Sequence, residues 1–278
     1  MIVLTGDLHH QSLDTGNQRH CAFSEIEIAG RYVELLRRYR VKATFFVSGM
    51  TFRDQWSELA PIASEPLVEL GGHNFDCFEP ALVHRVWKKL GKGYPGPEWM
   101  ERRDVERTIS VIRERTGRRI RLWRNHMYMH GPNTNRVLAE CGMVACSDVV
   151  SADAMGPRLL PEGLYEVPIN VIPDHEHLYH AERTREWVAW WQRRYNWSDA
   201  FGSDSYEIGD WTELVLAQLR ANEARGAVST MIIHPITVWL CDRFASLERI
   251  LAYLATRQTV HLGEAIDGLQ SGATREAA

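Results

Sequence analysis

The sequence lacks the features that mark most membrane-spanning, exported and nucleic-acid-binding proteins. No stretch of about 18 apolar residues occurs, so we predict no membrane span. The start, MIVLTGD, has no basic residues ahead of a long apolar segment, which a secretory signal peptide would have. The formal net charge is −4, and no cluster of Lys and Arg is interleaved with aromatic residues, so nucleic acid is not an expected partner. These absences favour a cytoplasmic location.

Paired cysteines and linkers are also missing. The cysteines are odd in number and scattered and form no CxxC pair, which argues against a disulfide framework and for a reducing compartment; they are Cys21, Cys77, Cys141, Cys146 and Cys241. No Gly/Ser-rich linker, composition shift or internal repeat marks a boundary. We therefore expect one domain over residues 1–270 and a flexible tail over residues 271–278.

Tryptophan is abundant, with ten residues, and several of them lie in an irregular insertion predicted around residues 175–225. Aromatic side chains there could pack a core or stack on a ligand, and core packing is the expectation.

Short apolar runs alternate with amphipathic stretches, which is typical of βα units. Helical candidates over residues 103–116 and 134–141 stop before Gly117 and Gly142, where a C-terminal glycine belongs. The pattern predicts an α/β fold, a distorted parallel (β/α) barrel of seven to eight strands. The candidate strands are IVLTGD, KATFFVSG, LVELGGHN, IRLWRNH, GMVACSD, GLYEVPINV, VSTMIIHP and TVHLGEAI.

Polar residues stand at the carboxyl ends of many of these candidate strands. In a parallel barrel all carboxyl ends meet at one face, so residues more than two hundred positions apart would converge on one pocket. The residues concerned are Asp7, His73, Arg124, His126, Asp148, Asp174, His175 and His234.

A carboxylate, several histidines and an arginine in one pocket fit metal-assisted hydrolysis. A divalent cation polarises a carbonyl and lowers the pKa of water, a carboxylate serves as base, and a separate histidine protonates the leaving nitrogen. Imidazole ligands favour zinc over calcium or magnesium.

Five segments carry a resemblance to a known family. The segments LTGD, KATFFVSG, ELGGHNFDC, WRNHMY and IIHP resemble, in order and spacing, the successive motifs of the polysaccharide deacetylase family, also called NodB homology or carbohydrate esterase family 4. The resemblance extends over roughly residues 2–265. It implies a NodB-like barrel and a metal-dependent deacetylase that acts on carbon–nitrogen bonds other than peptide bonds.

The resemblance assigns Asp7 as the catalytic base. The next position, where the family has an acidic metal ligand, is Leu8, so His9 is the expected ligand and His10 a nearby reserve. In the second motif His73 matches a ligand, and Cys77 stands where a second histidine is usual. Cys77 is either a thiolate ligand or the mark of a lost position, and Asp76 could replace it.

The later motifs supply the remaining roles. The resemblance implies that Arg124 orients the base and that His234 is the general acid, with Asp174 as a weak match for the carboxylate that tunes this acid. His126 is an additional polar residue without an assigned role. Asp174, His175 and His177 form a rival metal set, although a solvated loop start explains them equally well.

Three functions remain open at this stage. The first is a metal-dependent hydrolase, with zinc as the expected ion, that removes an N-acetyl or other small acyl group from an amino-sugar-containing substrate. The second is an allantoinase-like hydrolase of cyclic amides or ureides. The third is a non-catalytic carbohydrate-binding relative. A homo-oligomer is compatible with the sequence, which does not decide the oligomeric state.

Overall fold

The chain forms one curled sheet surrounded by helices in the computed structural model, which describes residues 1–276. The strands are β1 (Ile2–Leu8), β2 (Ala43–Val47), β3 (Val68–Gly72), β4 (Leu122–Trp123), β5 (Ala145–Cys146), β6 (Arg158–Leu159), β7 (Tyr165–Glu166) and β8 (Ser229–Ile232). The helices are α1 (Gly16–Arg19), α2 (Glu25–Tyr39), α3 (Gly49–Asp54), α4 (Trp56–Ala63), α5 (Ala81–Lys89), α6 (Glu98–Thr116), α7 (Thr134–Glu140), α8 (Asp174–His177), α9 (Arg185–Tyr195), α10 (Ile208–Ala224), α11 (Pro235–Asp242), α12 (Ala245–Leu254) and α13 (Leu262–Glu276).

The strand order is β6-β7-β5-β4-β3-β2-β1-β8, and every pair is parallel except β6 with β7. The predicted fold class, a distorted parallel (β/α) barrel of seven to eight strands, is confirmed. Seven of the eight candidate segments contain the parallel strands. Because β4, β3, β2, β1 and β8 are consecutive neighbours, their carboxyl ends lie side by side.

The eighth predicted strand, in TVHLGEAI, is wrong. Thr259 makes a single parallel bridge to Ile2, and the chain then enters α13. Leu262 and Ile266 are four residues apart, so they share one helix face, and both belong to a small buried apolar cluster with Val3. Helical packing onto the sheet therefore overrides the strand pattern, and the eighth strand is β6 at the sheet edge.

The termini of the helices follow the sequence signals. Helix α2 begins with a capping box in which Ser24 and Glu27 satisfy each other's backbone N–H groups. Helix α6 ends at Gly117 with φ of 70°, as predicted. The tail predicted over residues 271–278 falls on the end of α13 and on two residues outside the described ones, so it stays a prediction.

The double glycine of ELGGHN allows β3 to lie close to its neighbours. A Cβ atom on Gly71 would lie 2.5 Å from the Phe46 ring, and one on Gly72 would lie 2.4 Å from the Trp123 ring. Any larger side chain would force these strands apart. The glycines therefore set the position of His73, the residue that directly follows β3.

Asn170, in the segment after β7, connects that segment to the edge strand β8 by hydrogen bonds. Its backbone N–H donates to the Thr230 carbonyl at 3.0 Å, and its side-chain oxygen accepts from the Thr230 N–H at 2.8 Å. Its side-chain nitrogen donates to the carbonyls of Ala154 and Val228 at 2.7 and 2.9 Å. Asn170 is 2% exposed, so its side chain replaces strand pairing inside the protein.

Replacing Asn170 with Ala should lower the free energy of unfolding by about 2–4 kcal/mol, because buried polar groups lose their partners at about 1–3 kcal/mol each. Urea denaturation followed by circular dichroism measures the loss. Gln258→Ala, at an exposed position, is the control. A loss below about 0.5 kcal/mol, the size of an ordinary surface substitution, would contradict this role.

Candidate active site and metal centre

Residues that are far apart in the sequence meet at Asp7, at the carboxyl end of β1. Arg124 Nη1 donates to Asp7 Oδ1 at 2.9 Å. The other carboxylate oxygen, Asp7 Oδ2, lies 3.7 Å from His73 Nε2 and 3.8 Å from His234 Nε2. All four side chains are at least 88% buried. The structure thus brings together the predicted base, its orienting arginine, a predicted ligand and the predicted acid.

Arg124 is fixed in the interior by its neighbours. Its Nε donates to the Ser147 carbonyl at 2.8 Å and its Nη2 to the Ser147 hydroxyl at 2.7 Å. Its guanidinium also lies 4.4 Å from the centre of the Phe46 ring. Burial by itself raises the pKa of Asp7, yet His73, the Arg124 guanidinium and His234 together lower that pKa to about 2. Asp7 is therefore an ionised carboxylate at neutral pH.

His234 is paired with Asp174. The His234 ring nitrogen Nδ1 donates to Asp174 Oδ1 at 2.8 Å, and the backbone N–H of His234 donates to Asp174 Oδ2 at 2.7 Å. Burial lowers the pKa of His234, but the charge and hydrogen bond of Asp174, followed by the charge of Asp7, raise it to about 10. His234 is therefore protonated at neutral pH and can donate a proton from Nε2.

Three histidine rings converge beside Asp7. His73 Nε2 lies 3.2 Å from His9 Nε2 and 3.3 Å from His126 Nδ1. The Nδ1 of His73 lies 2.9 Å from the Arg124 carbonyl, and the Nδ1 of His9 lies 3.0 Å from a Glu25 oxygen. Both acceptors require a proton on Nδ1 of the histidine, so the two Nε2 atoms face each other.

Two imidazole nitrogens at this separation need a proton or a metal cation between them. Burial lowers the pKa of His73 to about 3, although the charge of Asp7 acts in the opposite direction. Burial, followed by the neighbouring histidines, lowers the pKa of His126 well below its ordinary value, so both rings are neutral. Two imidazole nitrogens bound tetrahedrally to zinc at 2.0–2.1 Å are about 3.3 Å apart. The observed spacings match this value, and the residues fit a zinc ion.

Cys77 is the fourth member of this group, and its Sγ and the histidine nitrogens all lie within 4.8 Å of one another. The thiol donates a long hydrogen bond to the His73 carbonyl at 4.0 Å, and burial raises its pKa well above the ordinary value. A thiol in this state needs a bound metal to ionise. Leu8, which replaces the family's acidic ligand, is fully buried in the core.

The remaining predicted site residues lie outside the histidine cluster. His10 Nδ1 is held by the Ser48 hydroxyl at 3.0 Å, and Asp76 lines a separate cavity next to α6. In α8 the rival metal set is divided. Asp174 binds His234, His175 lines the cleft above it, and His177 points to Asp199 at 3.0 Å. Each of these side chains contacts a different partner, so they do not form a common site.

Sequence reasoning assigned no role to one residue of the site and missed two others. His126, which was expected at this face without a role, belongs to the imidazole cluster. Glu25, at the N-terminus of α2, accepts from both the backbone N–H and the ring of His9 at 3.0 Å. Asn74 accepts from the His126 backbone N–H at 2.8 Å and donates to Asp104 at 2.7 Å. No local signal identifies Glu25 or Asn74, because each acts on a residue distant in sequence.

Removing one imidazole should weaken zinc binding more than removing the thiol. We expect His126→Ala to lower zinc affinity at least about 10-fold, and Cys77→Ser to lower it less, because His126 already meets the tetrahedral spacing. Competition with a fluorescent zinc chelator measures both affinities. His20→Ala, at an exposed position, is the matched control. A larger loss for Cys77→Ser than for His126→Ala would make Cys77 the third ligand.

A cleft of about 230 Å³ opens directly above these residues. Asp7, His9, His126, His175 and His234 all contribute to its lining. A larger hollow, of about 590 Å³, lies around Val68 and Ile120 near the amino-terminal ends of β3 and β4, away from these residues. The cleft is therefore the place where a substrate would meet the base, the acid and the imidazole cluster.

Within residues 1–276, no helix combines the length and the hydrophobicity that crossing a lipid bilayer requires.

Comparison with known proteins gives one match to a family model. The model of the polysaccharide deacetylase family matches residues 23–146. No curated protein matches the sequence.

Solved structures share the fold along nearly the whole chain. A protein of Mycobacterium smegmatis assigned as a polysaccharide deacetylase has a TM-score of 0.73 at 19% identity, over 98% of this chain and 91% of that one. A Pseudomonas aeruginosa PAO1 protein with the same assignment has a TM-score of 0.61 at 17% identity, over 94% and 87%. Puue allantoinase has a TM-score of 0.60 at 16% identity, over 94% and 86%. At these identities the likeness shows the fold alone. Together, the family match over residues 23–146 and the shared fold confirm the resemblance to the polysaccharide deacetylase family found in the sequence.

Proposed function

We propose that this protein is a zinc-dependent hydrolase that removes an N-acetyl or other small acyl group from an amino-sugar-containing substrate. The observation that carries the proposal is the placement of an ionised carboxylate, Asp7, and a protonated imidazole, His234, 3.8 Å apart and next to the three-histidine cluster. Amide hydrolysis needs a proton acceptor for water and a proton donor for the leaving nitrogen, and this pair supplies both.

Zinc bound by His9, His73 and His126 would polarise the amide carbonyl and lower the pKa of a water molecule. Asp7 accepts the proton of the attacking water, and Arg124 keeps the carboxylate in place while this happens. The water oxygen bonds to the amide carbon. His234 then transfers its Nε2 proton to the nitrogen as the carbon–nitrogen bond breaks, and Asp174 stabilises the imidazole in the required orientation.

The residues favour an enzyme over a non-catalytic binding protein. A protein that only binds carbohydrate has no need of a buried base held by Arg124 at 2.9 Å, or of an acid held by Asp174 at 2.8 Å. The departures from the family pattern at Leu8 and Cys77 are offset in space by His9 and His126.

A hydrolase of cyclic amides or ureides is the second candidate. The cleft has a volume of about 230 Å³, and this small volume favours a single-ring substrate such as a cyclic amide or ureide. Opening such a ring uses the same base and acid, so only the substrate separates the two candidates.

Zinc content and product release test the proposal together. We expect about one equivalent of zinc in protein purified without added metal, and acetate release from N-acetyl hexosamines that stops when a chelator removes the zinc. Ring opening of allantoin without acetate release would support the second candidate. Protein that binds no zinc even after soaking, and releases no product, would support the non-catalytic relative.

A further inference from the structure

Two residues that line the cleft each carry a polar atom without a hydrogen-bond partner among residues 1–276. The Tyr128 hydroxyl and Glu176 Oε2 are both buried, and their residues line the cleft with Asp7 and His234. A buried polar group without a partner costs about 1–3 kcal/mol, so such groups are rare in folded proteins. Two of them on residues that line one cleft indicate that a polar ligand completes their hydrogen bonds.

The backbone around Tyr128 is held in an unfavourable conformation. Met127 and Tyr128 have φ of 54° and 53°, a region that residues other than glycine seldom adopt. This turn directly follows His126, so one strained segment places both an imidazole in the cluster and a phenol in the cleft. Strain of this kind is characteristic of functional sites.

Glu176 lies close in the chain to Asp174, the partner of the proposed acid His234. It lies in α8, two residues after Asp174, which holds His234. Its backbone carbonyl accepts from Arg183 at 2.8 Å, so the turn is anchored from the far side of the insertion. The side-chain carboxyl is therefore fixed near the acid without a partner for Oε2.

Contacts among α1, α11 and the segment around Glu182 hold part of the cleft lining together. Asn17 accepts from His180 at 2.9 Å and donates to the Thr237 hydroxyl at 3.2 Å. A Cβ atom on Gly16 would lie 2.0 Å from a Glu182 oxygen, so only glycine fits there. A volume of about 230 Å³ is small for a polysaccharide lying across the site, and these contacts hold together the segments that bound the cleft.

We propose that the cleft binds a single N-acylated amino-sugar unit, free or at the end of a chain, and that Tyr128 and Glu176 bind its hydroxyl groups. This inference rests on the proposed function. A phenol both donates and accepts hydrogen bonds, and a carboxyl oxygen accepts them, so together they match neighbouring sugar hydroxyls. The unit would lie with its amide next to Asp7 and His234.

Steady-state kinetics on zinc-loaded protein test the roles of the two residues. With N-acetylglucosamine as substrate, Tyr128→Phe and Glu176→Gln should each raise KM about 3- to 100-fold, the range expected for a lost hydrogen bond, and change kcat by less than about 3-fold. Exposed Tyr195→Phe and Glu162→Gln are the matched controls. Thermal melting of each variant shows that it is folded. A folded variant with unchanged KM would overturn the assignment of that residue.

The N-acetylglucosamine tetramer tests the restriction to one unit. Mass spectrometry of the products should show acetyl loss from a terminal unit only. Loss from interior units would overturn the inference and leave the proposed function standing.

Binding of N-acetylglucosamine, measured by saturation-transfer NMR, distinguishes a failure of this inference from a failure of the proposed function. Binding that weakens in Tyr128→Phe and Glu176→Gln, without acetate release by the unaltered protein, would support the inference and refute the proposed function. No binding of the monosaccharide, or binding of allantoin in its place, would overturn the inference.

Discussion

Asp7→Asn should lower turnover by about 10²- to 10⁴-fold, the usual contribution of a general base, while zinc content stays unchanged. The amide has the shape of the carboxylate, and its oxygen can still accept from Arg124 Nη1, which donates to Asp7 Oδ1 at 2.9 Å. It cannot accept a proton from water at neutral pH. The zinc ligands are imidazoles from other residues, so metal binding does not depend on this charge.

Acetate release and zinc content, measured on the same preparation, check this result. Asp14→Asn is the matched control, since Asp14 is exposed and in a left-handed conformation that asparagine tolerates. Unchanged turnover in Asp7→Asn would remove Asp7 from the mechanism. Loss of zinc together with activity would instead assign Asp7 to the metal centre.

Asp174→Asn should move the alkaline limb of the pH–rate profile down by about 1–3 pH units, the shift that one neighbouring opposite charge produces. In the unaltered protein, the charge and hydrogen bond of Asp174 outweigh burial and raise the pKa of His234 to about 10. Without that charge the imidazole loses its proton at lower pH. Above the new limb, activity should fall about 10-fold for each pH unit.

The pKa of His234, read from its imidazole NMR signal, provides a second measurement. Asp199→Asn is the matched control, because Asp199 pairs with His177 in the same insertion but outside the histidine cluster. The control should leave the alkaline limb in place. An equal shift in both variants would indicate a general change in the insertion, and no shift in Asp174→Asn would refute the pairing as the cause of the raised pKa.

These ionised groups also give the fold a defined pH dependence. The folded-state pKa of His234 is raised from 6.5 to about 10, so its contribution to stability is complete below about pH 6.5 and is lost as pH rises through 10. The pKa of Asp7 is lowered from 3.8 to about 2, so its contribution is present above about pH 4 and is lost as pH falls through 2.

The sequence predicted the strands that hold the site because each has a strong local signal. Apolar runs such as IVLTGD and KATFFVSG are buried on both faces, as central parallel strands require, and each ends where a polar residue begins. The strand predicted at TVHLGEAI was wrong because its local signal is ambiguous. A short apolar run fits a strand or a buried helix equally well, and packing against Val3 and Phe46 decides in favour of the helix.

By itself, the sequence determined the barrel, the family resemblance and the convergence of Asp7, His73, Arg124 and His234, since carboxyl ends of parallel strands must share one face. Only the tertiary structure decided which imidazoles meet. His126 joins His9 and His73 through the turn that Asn74 holds, whereas His10 and His177, equally plausible by position, bind Ser48 and Asp199. The direction of a side chain after a strand depends on backbone turns and on hydrogen bonds to residues distant in the chain, and neither is encoded by local residue spacing.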